Sequence, residues 1–460
     1  MKKRILFLSV LTLFLSSCGI FSPLSENTGS ISIKMPEGSE RSNDVSEITS
    51  FSVELYNSDN IPVVQIDSAP GKSITFESLE PGSYAIFIKA FKPSAASCAA
   101  YGEKTGVIVK AGATTYETIT LKWVITDWTT LSAKLNNVKD DVGNVYVSGE
   151  FDVTSTISFS GTATIIPIGS VTFTRSGSFT EDFFFLNPDS MTFKGSETAP
   201  IVFDGTDTTE TSNFITNWGT TTFEYCSFQN NSSSSYASVY LSYNDDTSKT
   251  TFKSCTFTGN IGPKGGAVYI AESTTVTFSD CRFENNTSSS DGGAVYIAKS
   301  ATGTFSDCIF GNAEDENLGN YCTGATGGGG AVYATGASIT LSNCEFYYNK
   351  ATGDCGNGGA IGADSSSTVT ITVGCIFNNN ETASADSSLT HGGALYINKS
   401  SLVLPNSGNI FENNREGNKT ESILSDIYIV PGTINGSDSY TKGSYTVAEN
   451  GSLTLTSTSQ

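Results

Sequence analysis

One hexapeptide, GGAVYI, occurs twice in this chain, beginning at Gly265 and again 27 residues later at Gly292. The same box, Gly-Gly-Ala followed by Val, Ile or Leu, occurs three more times. The five glycine pairs are Gly265 and Gly266, Gly292 and Gly293, Gly329 and Gly330, Gly358 and Gly359, and Gly392 and Gly393. A motif that returns every 20 to 50 residues or so indicates stacked structural repeats, because each unit buries its apolar face only against its neighbours.

A second box, Cys-x-Phe-x-x-Asn, alternates with the glycine box. A phenylalanine of this box follows each glycine pair after 17 to 19 residues, whereas the next pair follows that phenylalanine after 8 to 19. Two copies drift, because Asn312 comes one residue early and Asn409 stands where a cysteine is expected. The regular cysteine and phenylalanine positions are Cys226 and Phe228, Cys255 and Phe257, Cys281 and Phe283, Cys308 and Phe310, Cys344 and Phe346, and Cys375 and Phe377. Insertions therefore gather in one half of the repeat, which is typical of a solenoid whose loops project from one face.

The local pattern decides which solenoid is expected. Segments such as TTFKSCTF (250–257) and VTFSDCRF (276–283) are β-branched and aromatic, alternate with period two and carry no helical stripe. They predict short strands. A coil of 26 to 36 residues built from such strands and turns predicts a right-handed, single-stranded parallel β-helix. Its coils stack about 4.8 Å apart, so equivalent residues form columns.

Each letter of the boxes has an expected place in such a coil. The glycines allow positive φ and a close backbone approach, and the asparagine is expected to adopt the left-handed conformation and to stack its amide into a ladder. Cysteine and phenylalanine share one strand face, which we place inward. Val268 and Ile270 are also expected to point inward. The tyrosines beside them would then form an outer stack of Tyr269, Tyr296, Tyr333 and Tyr396.

The two interleaved boxes together resemble the polymorphic membrane protein (Pmp) repeat of bacterial surface adhesins. The resemblance covers residues 220–415. It implies a surface-displayed parallel β-helix that contacts host cells or other macromolecules. Typical members end in a membrane barrel with a C-terminal aromatic residue, whereas this sequence ends GSLTLTSTSQ. We therefore expect another anchor.

The N-terminus supplies a candidate for that anchor. Basic residues followed by an apolar run, Ile5 to Leu15, predict a secretory signal over residues 1–17, too short to cross a bilayer. The run ends in LSSCG, which resembles a bacterial lipobox with Cys18 as the acylated residue. Two or three acyl chains would hold the protein at a membrane surface. The alternative is an ordinary signal peptide with Cys18 lost on cleavage.

The remaining chain is predicted to contain a tether and two domains. Residues 18–28 form the tether, and residues 29–122 alternate like a β-sandwich. In that module, LEPGSY (79–84) looks like the strand entry of carboxypeptidase-regulatory or transthyretin-like sandwiches. We interpret it as a spacer, with a sugar-binding sandwich as the alternative. Residues 123–460 are expected to form the β-helix, capped by an amphipathic helical turn with Trp128.

The cysteines permit two interpretations. Six of the ten occupy one repeat position, and in-register side chains on neighbouring parallel strands are poorly placed for disulfide geometry. We therefore favour buried thiols for these six over disulfides. Cys322 and Cys355 lie in insertions expected on one face, where they form either a disulfide that pins two loops or two free thiols.

Composition removes several classes of chemistry. His391 is the only histidine, so triads and multi-histidine metal sites lack their usual residues, and we interpret it as a turn residue rather than a catalyst. Glu314, Asp315 and Glu316 form an acidic loop that matches no calcium motif, so a solvated loop is preferred over Ca²⁺ binding. The net charge of −21 argues against nucleic acid as a partner.

These observations predict a monomeric, lipid-anchored protein of the bacterial envelope, expected to face the exterior, with an interior-facing location left open. Its loops would bind a host-cell or glycan ligand without catalytic residues, metal or cofactor other than the lipid on Cys18. The alternative is a carbohydrate-active β-helix enzyme, because such folds also host polysaccharide lyases and hydrolases. A purely structural spacer is the third interpretation.

Overall fold

The computed structural model describes residues 27–35, 48–92, 98–136, 138–176, 179, 183–187, 190–205, 213–217, 219–235, 237–242, 249–324, 328–352, 356–384, 391–405, 408–417, 423–430, 433–434, 443–447 and 453–458. The chain divides into two compact units, one up to Lys122 and one from Trp123 onward. Both consist almost entirely of strands, which are numbered below in chain order. In the described part of the chain, no helix is long and apolar enough to cross a membrane.

The first unit is a small β-sandwich. Its strands are β1 (Gly29–Lys34), β2 (Ser50–Asn57), β3 (Pro62–Ser68), β4 (Ser73–Leu79), β5 (Gly82–Phe91), β6 (Ala100–Val109) and β7 (Thr114–Glu117). β1 lies between β4 and β7, while β3, β2, β5 and β6 form an antiparallel sheet in that order. Alternate residues of the two sheets, including Ile31, Val53 and Ile86, are fully buried in one hydrophobic cluster. The period-two pattern of this segment thus produces two sheets around a shared core.

The second unit begins with β8 (Lys122–Ile125) and one helix, α1 (Trp128–Leu135). Asp127 caps the helix, and its carboxylate accepts a hydrogen bond of 2.8 Å from the backbone N–H of Thr130. The helix buries Trp128, Leu131 and Leu135. The indole of Trp128 lies 6.0 Å from the ring of Phe173. The apolar face of α1 therefore packs against the first coils of the solenoid core.

The rest of this unit is a right-handed parallel β-helix with three sheets. The cysteine-box sheet has two strands per coil, in two columns. The first column contains β9 (Asp141–Val153), β11 (Thr162–Arg175), β13 (Ser190–Lys194), β16 (Thr220–Glu224), β19 (Thr250–Lys253), β23 (Thr275–Ser279), β27 (Thr302–Ser306), β31 (Ser338–Ser342), β35 (Thr368–Ile371), β39 (Ser401–Val403) and β44 (Thr433–Ile434). The second contains β14 (Ile201–Asp204), β17 (Cys226–Gln229), β20 (Thr256–Thr258), β24 (Arg282–Glu284), β28 (Ile309–Phe310), β32 (Glu345–Tyr347), β36 (Ile376–Asn378) and β40 (Ile410–Glu412).

The other two sheets complete each coil. The glycine-box sheet contains β10 (Ile157–Ser158), β12 (Phe183–Asn187), β15 (Asn213–Asn217), β18 (Val239–Leu241), β22 (Val268–Ile270), β26 (Val295–Ile297), β30 (Val332–Thr335), β34 (Ile361–Asp364), β38 (Leu395–Asn398) and β43 (Ile427–Val430), followed by antiparallel β45 (Gly443–Val447) and β46 (Leu453–Thr458). The third sheet contains β21 (Ile261–Lys264), β25 (Thr287–Asp291), β29 (Tyr321–Cys322), β33 (Lys350–Ala351), β37 (Glu381–Thr382), β41 (Arg415–Glu416) and antiparallel β42 (Ile423–Leu424). The antiparallel strands β42, β45 and β46 all lie in the C-terminal part of the chain.

The phenylalanines of the cysteine box form one continuous column. Phe228 is paired in register with Phe257, and the same register continues coil by coil to Phe411. Successive rings are stacked, with centroids 4.6 to 5.0 Å apart and planes within 12° of parallel. Centroid separations this close to the strand spacing show that each ring lies directly over the one below.

The two glycines of each pair have different roles. The first glycine has positive φ, as in Gly292 at 61°. The second approaches the next coil closely, since a Cβ atom on Gly293 would lie 2.0 Å from the carbonyl oxygen of Gly330. The first position therefore needs glycine for its conformation and also for space, because a Cβ atom on Gly292 would lie 2.1 Å from the carbonyl oxygen of Val295, whereas the second needs it for space alone.

The asparagines form a buried ladder, but the expectation that they adopt the left-handed conformation is wrong. The residue before a ladder asparagine has positive φ in five of the six coils, for example Gly259 at 66° and Asn285 at 52°; the exception is Gly319 before Asn320, whose φ is −60°. The chain turns at that preceding residue, which leaves the asparagine facing inward beneath the next amide. The ladder contains Asn260, Asn286, Asn320, Asn349, Asn380 and Asn414, whose side-chain Nδ2 atoms donate to the next Oδ1 at 2.9 to 3.0 Å.

In the coil of Cys308, where the asparagine of the motif comes one residue early, a different asparagine takes the ladder position. Asn312 stays at the surface and donates to Glu284, whereas Asn320 occupies the ladder position after an insertion. The insertion contains a short 3-10 helix, Glu316–Leu318. Asn320, rather than the asparagine of the drifted motif, is the residue equivalent to Asn286.

The tyrosine column is present but is interrupted and sheltered. Tyr269 stacks on Tyr296 with centroids 5.2 Å apart, and Tyr296 stacks on Tyr333 at 6.1 Å. Gly362 occupies the next position in register. Tyr296 and Tyr333 are only 5% and 9% exposed, so the predicted outer stack is largely covered. Burial raises the pKa of Tyr333, and the carboxylates of Asp364 and Asp291 raise it further.

Candidate binding groove

A groove of about 680 Å³ runs along the outer face of the cysteine-box sheet across four successive coils. Its floor consists of Val202, Ser227, Thr256 and Arg282, which are paired in register on β14, β17, β20 and β24. Outward positions of strands normally face solvent on this sheet, because the cysteines and phenylalanines between them point into the core. The four side chains therefore form a row along the helix axis. We call this feature the corner groove.

One wall of the corner groove is the turn between the two strands of each coil. Tyr225, Ser254 and Asp280 occupy this turn in three successive coils and line the groove. All three have positive φ, at 49°, 51° and 54°. The Ser254 hydroxyl donates a hydrogen bond of 2.8 Å to the carboxylate of Asp280. The wall is thus held in place by backbone turns and by a bond between coils.

At the first coil of the groove, the same wall is formed by a longer turn, the segment between β13 and β14. Ser196 and Ala199 form an isolated antiparallel bridge, which folds the segment containing Glu197 and Pro200 beside the first coil of the groove. This segment breaks the coil regularity. Glu197 is exposed at the rim. The groove is therefore closed at one end by an irregular element and open toward the later coils.

Hydrogen bonds preorganise the polar floor. The Thr256 hydroxyl donates to the Ser227 hydroxyl at 3.0 Å. The Gln229 side chain donates to the carboxylate of Asp204 at 2.8 Å. At the far end, a guanidinium nitrogen of Arg282 lies 3.0 Å from a carboxylate oxygen of Glu284, and the Arg282 side chain is 42% exposed. Hydroxyl, amide, carboxylate and guanidinium groups thus face one open space, a set suited to recognising a polar ligand.

The six predicted column cysteines form a buried column, of which Cys226, Cys255 and Cys281 belong to the coils of the groove. All six are free and buried, and the Cys255 thiol donates to the backbone oxygens of Phe223 and Lys253 at 3.4 Å each. Burial raises the pKa of the Cys255 and Cys281 thiols well above its ordinary value. The hydrogen bond to Cys308, together with burial, raises the pKa of Cys344 to about 12. These neutral thiols pack as small apolar groups.

The remaining predicted site residues lie apart from the groove. The Cys322 thiol is free, buried and within 2.8 Å of the carbonyl oxygen of Ser290, and burial raises its pKa to about 11. Cys355 lies outside the described residues, so their disulfide stays a prediction. Cys18, the signal segment and most of the tether also lie outside them. The imidazole of His391 stacks on the ring of Tyr428 with centroids 3.9 Å apart.

The acidic loop shows no cation site. Glu314, Asp315 and Glu316 are exposed, and the Asp315 carboxylate caps the 3-10 helix by accepting from the backbone N–H of Asn317. Within the described ranges, no group of three or more His, Cys, Asp or Glu residues is placed to hold a metal ion. Calcium binding by this loop therefore gains no support from its geometry.

The corner groove was not predicted, because the variable spacing of the motifs points to the insertion loops instead. One signal was available. Tyr225 occupies the turn position that holds Ser254, Asp280, Asp307 and Asn343 in later coils. A bulky aromatic residue at a position otherwise held by small polar residues marks a departure from the repeat. Such departures are expected at functional or strained sites.

Comparison with known proteins supports the architecture. A family model described as the right handed beta helix region matches residues 185–451, more than half of the chain. That range includes the corner groove, the phenylalanine column and the asparagine ladder. No curated protein and no solved structure matches the chain.

Proposed function

The chain belongs to the right-handed beta helix family, and from this premise we propose that it is a binding scaffold of the bacterial envelope. It is lipid-anchored through Cys18, faces the exterior and acts like an adhesin toward a host-cell or glycan ligand. Right-handed β-helices occur in enzymes and in non-enzymes. The fold alone therefore does not choose between these classes.

The corner groove is the observation that carries the binding role. It spans four coils of a rigid solenoid, and its polar groups are already held by hydrogen bonds to neighbouring coils. Preorganised groups lose little conformational entropy when a ligand binds. A surface of this kind favours recognition of an extended ligand that lies along the coil axis.

The anchor and the display come from the sequence. The lipobox-like LSSCG at Cys18 supplies the membrane attachment, and the interleaved boxes resemble the Pmp repeats of surface adhesins. The net charge of −21 disfavours nucleic acid. The proposal includes no cofactor besides the lipid, and it treats the protein as a monomer.

Intact cells provide the test. Added protease should remove the protein from intact cells, and antibody should label them without permeabilisation. A Cys18→Ala variant should leave the membrane fraction. Purified full-length protein should bind host cells or glycans. Protection from protease until the envelope is opened would contradict surface display.

A carbohydrate-active enzyme is the second candidate. Glu197 and Asp280 line the same groove, and a pair of carboxylates is the set of groups that glycoside hydrolysis uses. Incubation with polysaccharides separates the two candidates. New reducing ends that are lost in an Asp280→Asn variant would favour the enzyme, whereas binding without product favours the scaffold.

A further inference from the structure

Tyr225 has a backbone conformation that a bulky residue rarely adopts. Its φ is 49°, and for large side chains a positive φ is strained. The next coils place Ser254 and Asp280 at this turn, where these smaller side chains cause less strain in the same backbone conformation. Tyr225, which is only partly buried, lines the corner groove. An aromatic ring is therefore kept at the groove in spite of the local cost.

Planar polar groups face the same space. The Gln229 amide, the Asp280 carboxylate and the Arg282 guanidinium all line the groove. Planar groups of this kind can donate to, or accept from, two adjacent hydroxyl groups at once. Ser227 and Thr256 add hydroxyl groups between them. A ring for stacking, surrounded by planar hydrogen-bonding groups, matches the two kinds of surface of a sugar: an apolar face and a rim of hydroxyls.

The groove has a direction and a length. Its floor crosses four coils, so it extends over three strand spacings, roughly 14 Å in all. Equivalent outward positions repeat at each coil along this line. A linear chain of several sugar units fits such a row better than a compact ligand does.

The charges of the lining residues favour an uncharged ligand. Glu197 and Asp280 give the lining two negative charges, and Arg282, which carries the one positive charge among the lining residues, lies beside Glu284. The whole chain has a net charge of −21. A polyanionic glycan would be repelled both by the groove and by the protein.

We propose that the corner groove binds a neutral, linear oligosaccharide along the helix axis, with one sugar ring stacked on Tyr225 and its hydroxyls bonded by Gln229 and Asp280. This inference rests on the proposed function, because it names the ligand class of the same surface. Tyr225 is the specificity-determining residue. The strained backbone conformation at Tyr225 is tolerated because a serine at this turn would provide no aromatic surface for stacking.

Calorimetric titration of the purified full-length protein tests the proposal. The probes are cellohexaose, laminarihexaose and mannohexaose as neutral chains and hexagalacturonate as an acidic one. At least one neutral chain should bind, and Tyr225→Ser should weaken that binding about tenfold. The substitution should not lower the midpoint of thermal unfolding, because Ser254 has the same backbone conformation in the next coil.

Tyr348→Ser is the matched control. Tyr348 also has positive φ, at 54°, but the residues that line the groove do not include it. Its substitution should leave glycan affinity unchanged. The proposal would be overturned if the Tyr225→Ser variant bound the neutral oligosaccharide as tightly as the wild type does. Tighter binding of hexagalacturonate than of the neutral probes, or a dimer formed through the groove and detected by light scattering, would also overturn it.

The outcomes also separate this inference from the proposed function. If no neutral chain binds while the protein still attaches to host cells, the ligand class is wrong and the scaffold role stands. If the protein is protected from protease on intact cells but binds a neutral chain through Tyr225, surface display is wrong and the groove assignment stands.

Discussion

The carboxylate of Asp426 accepts a hydrogen bond of 2.9 Å from the side-chain amide of Asn414. This bond ends the asparagine ladder at its C-terminal side, where the last amide nitrogen would otherwise lack an acceptor. At the N-terminal side, a guanidinium nitrogen of Arg175 lies 3.3 Å from Oδ1 of Asn231, whose backbone N–H donates to Asn260. The aligned amides thus end on a cation at their oxygen side and on an anion at their nitrogen side, as electrostatics favours.

The first prediction concerns this terminal carboxylate. Burial raises the pKa of Asp426 above 3.8, although the hydrogen bonds from Asn414 and Val447 lower it in part. Because the pKa of Asp426 is higher in the folded protein than in the unfolded chain, its contribution to the free energy of unfolding is complete at pH values below 3.8, the ordinary pKa. That contribution is lost as the pH rises through the pKa of the folded state. The stability of the wild type relative to Asp426→Asn should therefore decrease from acidic to neutral pH in urea unfolding. A difference that grows with pH would contradict the burial of this group.

The second prediction concerns one rung of the ladder. The Asn320 side chain accepts from the backbone and side chain of Asn286 and donates to Phe283 and Asn349. Asn320→Ala leaves several of these groups without partners, so we expect a loss of about 3 kcal/mol or more in the free energy of unfolding. Asn312→Ala, at the asparagine that the motif itself suggests, should cost under about 1 kcal/mol. Denaturant unfolding of both variants gives the comparison, and equal losses would refute the assignment of Asn320.

The third prediction concerns the second glycine of the box. A Cβ atom at Gly293 would meet backbone atoms of Gly330 and Tyr321 at 2.0 and 2.7 Å, and backbone cannot move aside as a side chain can. Gly293→Ala should therefore destabilise the β-helix by about 3 kcal/mol or more. At Gly82, in the first unit, the nearest atom to a new Cβ is 3.9 Å away, so Gly82→Ala should change stability by less than about 1 kcal/mol. Thermal unfolding measures both, and a folded Gly293→Ala protein of normal stability would rule out the close approach.

The fourth prediction concerns thiol reactivity. Because the column thiols are buried and the pKa of Cys344 is raised to about 12, little thiolate forms at neutral pH. Iodoacetamide should label these six cysteines only after unfolding, as mass spectrometry of the peptides would show. A Ser254→Cys variant places a thiol in the groove as a positive control and should react in the folded state. Labelling of the native column at the control's rate would contradict the buried arrangement.

Much of the fold could be predicted because the repeat carries it. The nearly constant distance from each glycine pair to the next phenylalanine, 17 to 19 residues, fixes the length of this half of the coil and predicts that Phe283 lies over Phe257. The inward direction of Val268 follows from strand alternation, and the variable distance after each phenylalanine marked where the insertions lie. These are local or periodic properties, which a sequence displays directly.

The errors share one cause. Motif spacing assigned the left-handed turn to the ladder asparagine, although in five of six coils the residue before it turns, and the drifted motif at Asn312 did not reveal that Asn320 takes the ladder position. In both cases the position of one residue is shifted, or residues are inserted, and the buried asparagine side chain still forms hydrogen bonds to the asparagines of the adjacent coils. The hydrogen-bond partners of a buried polar group depend on contacts between coils. The spacing of residues within one coil does not predict those contacts.

The sequence by itself determined that this chain stacks in coils, which residues fill the core, and that charge and histidine content leave few kinds of chemistry. Only the tertiary structure decided that Tyr225, Ser254 and Asp280, each from a different coil, line one groove, and that Arg175 and Asp426 end one ladder. The physical reason is that periodicity specifies what repeats. A binding surface arises where the repeat is broken, and the consequences of a break depend on the neighbouring coils.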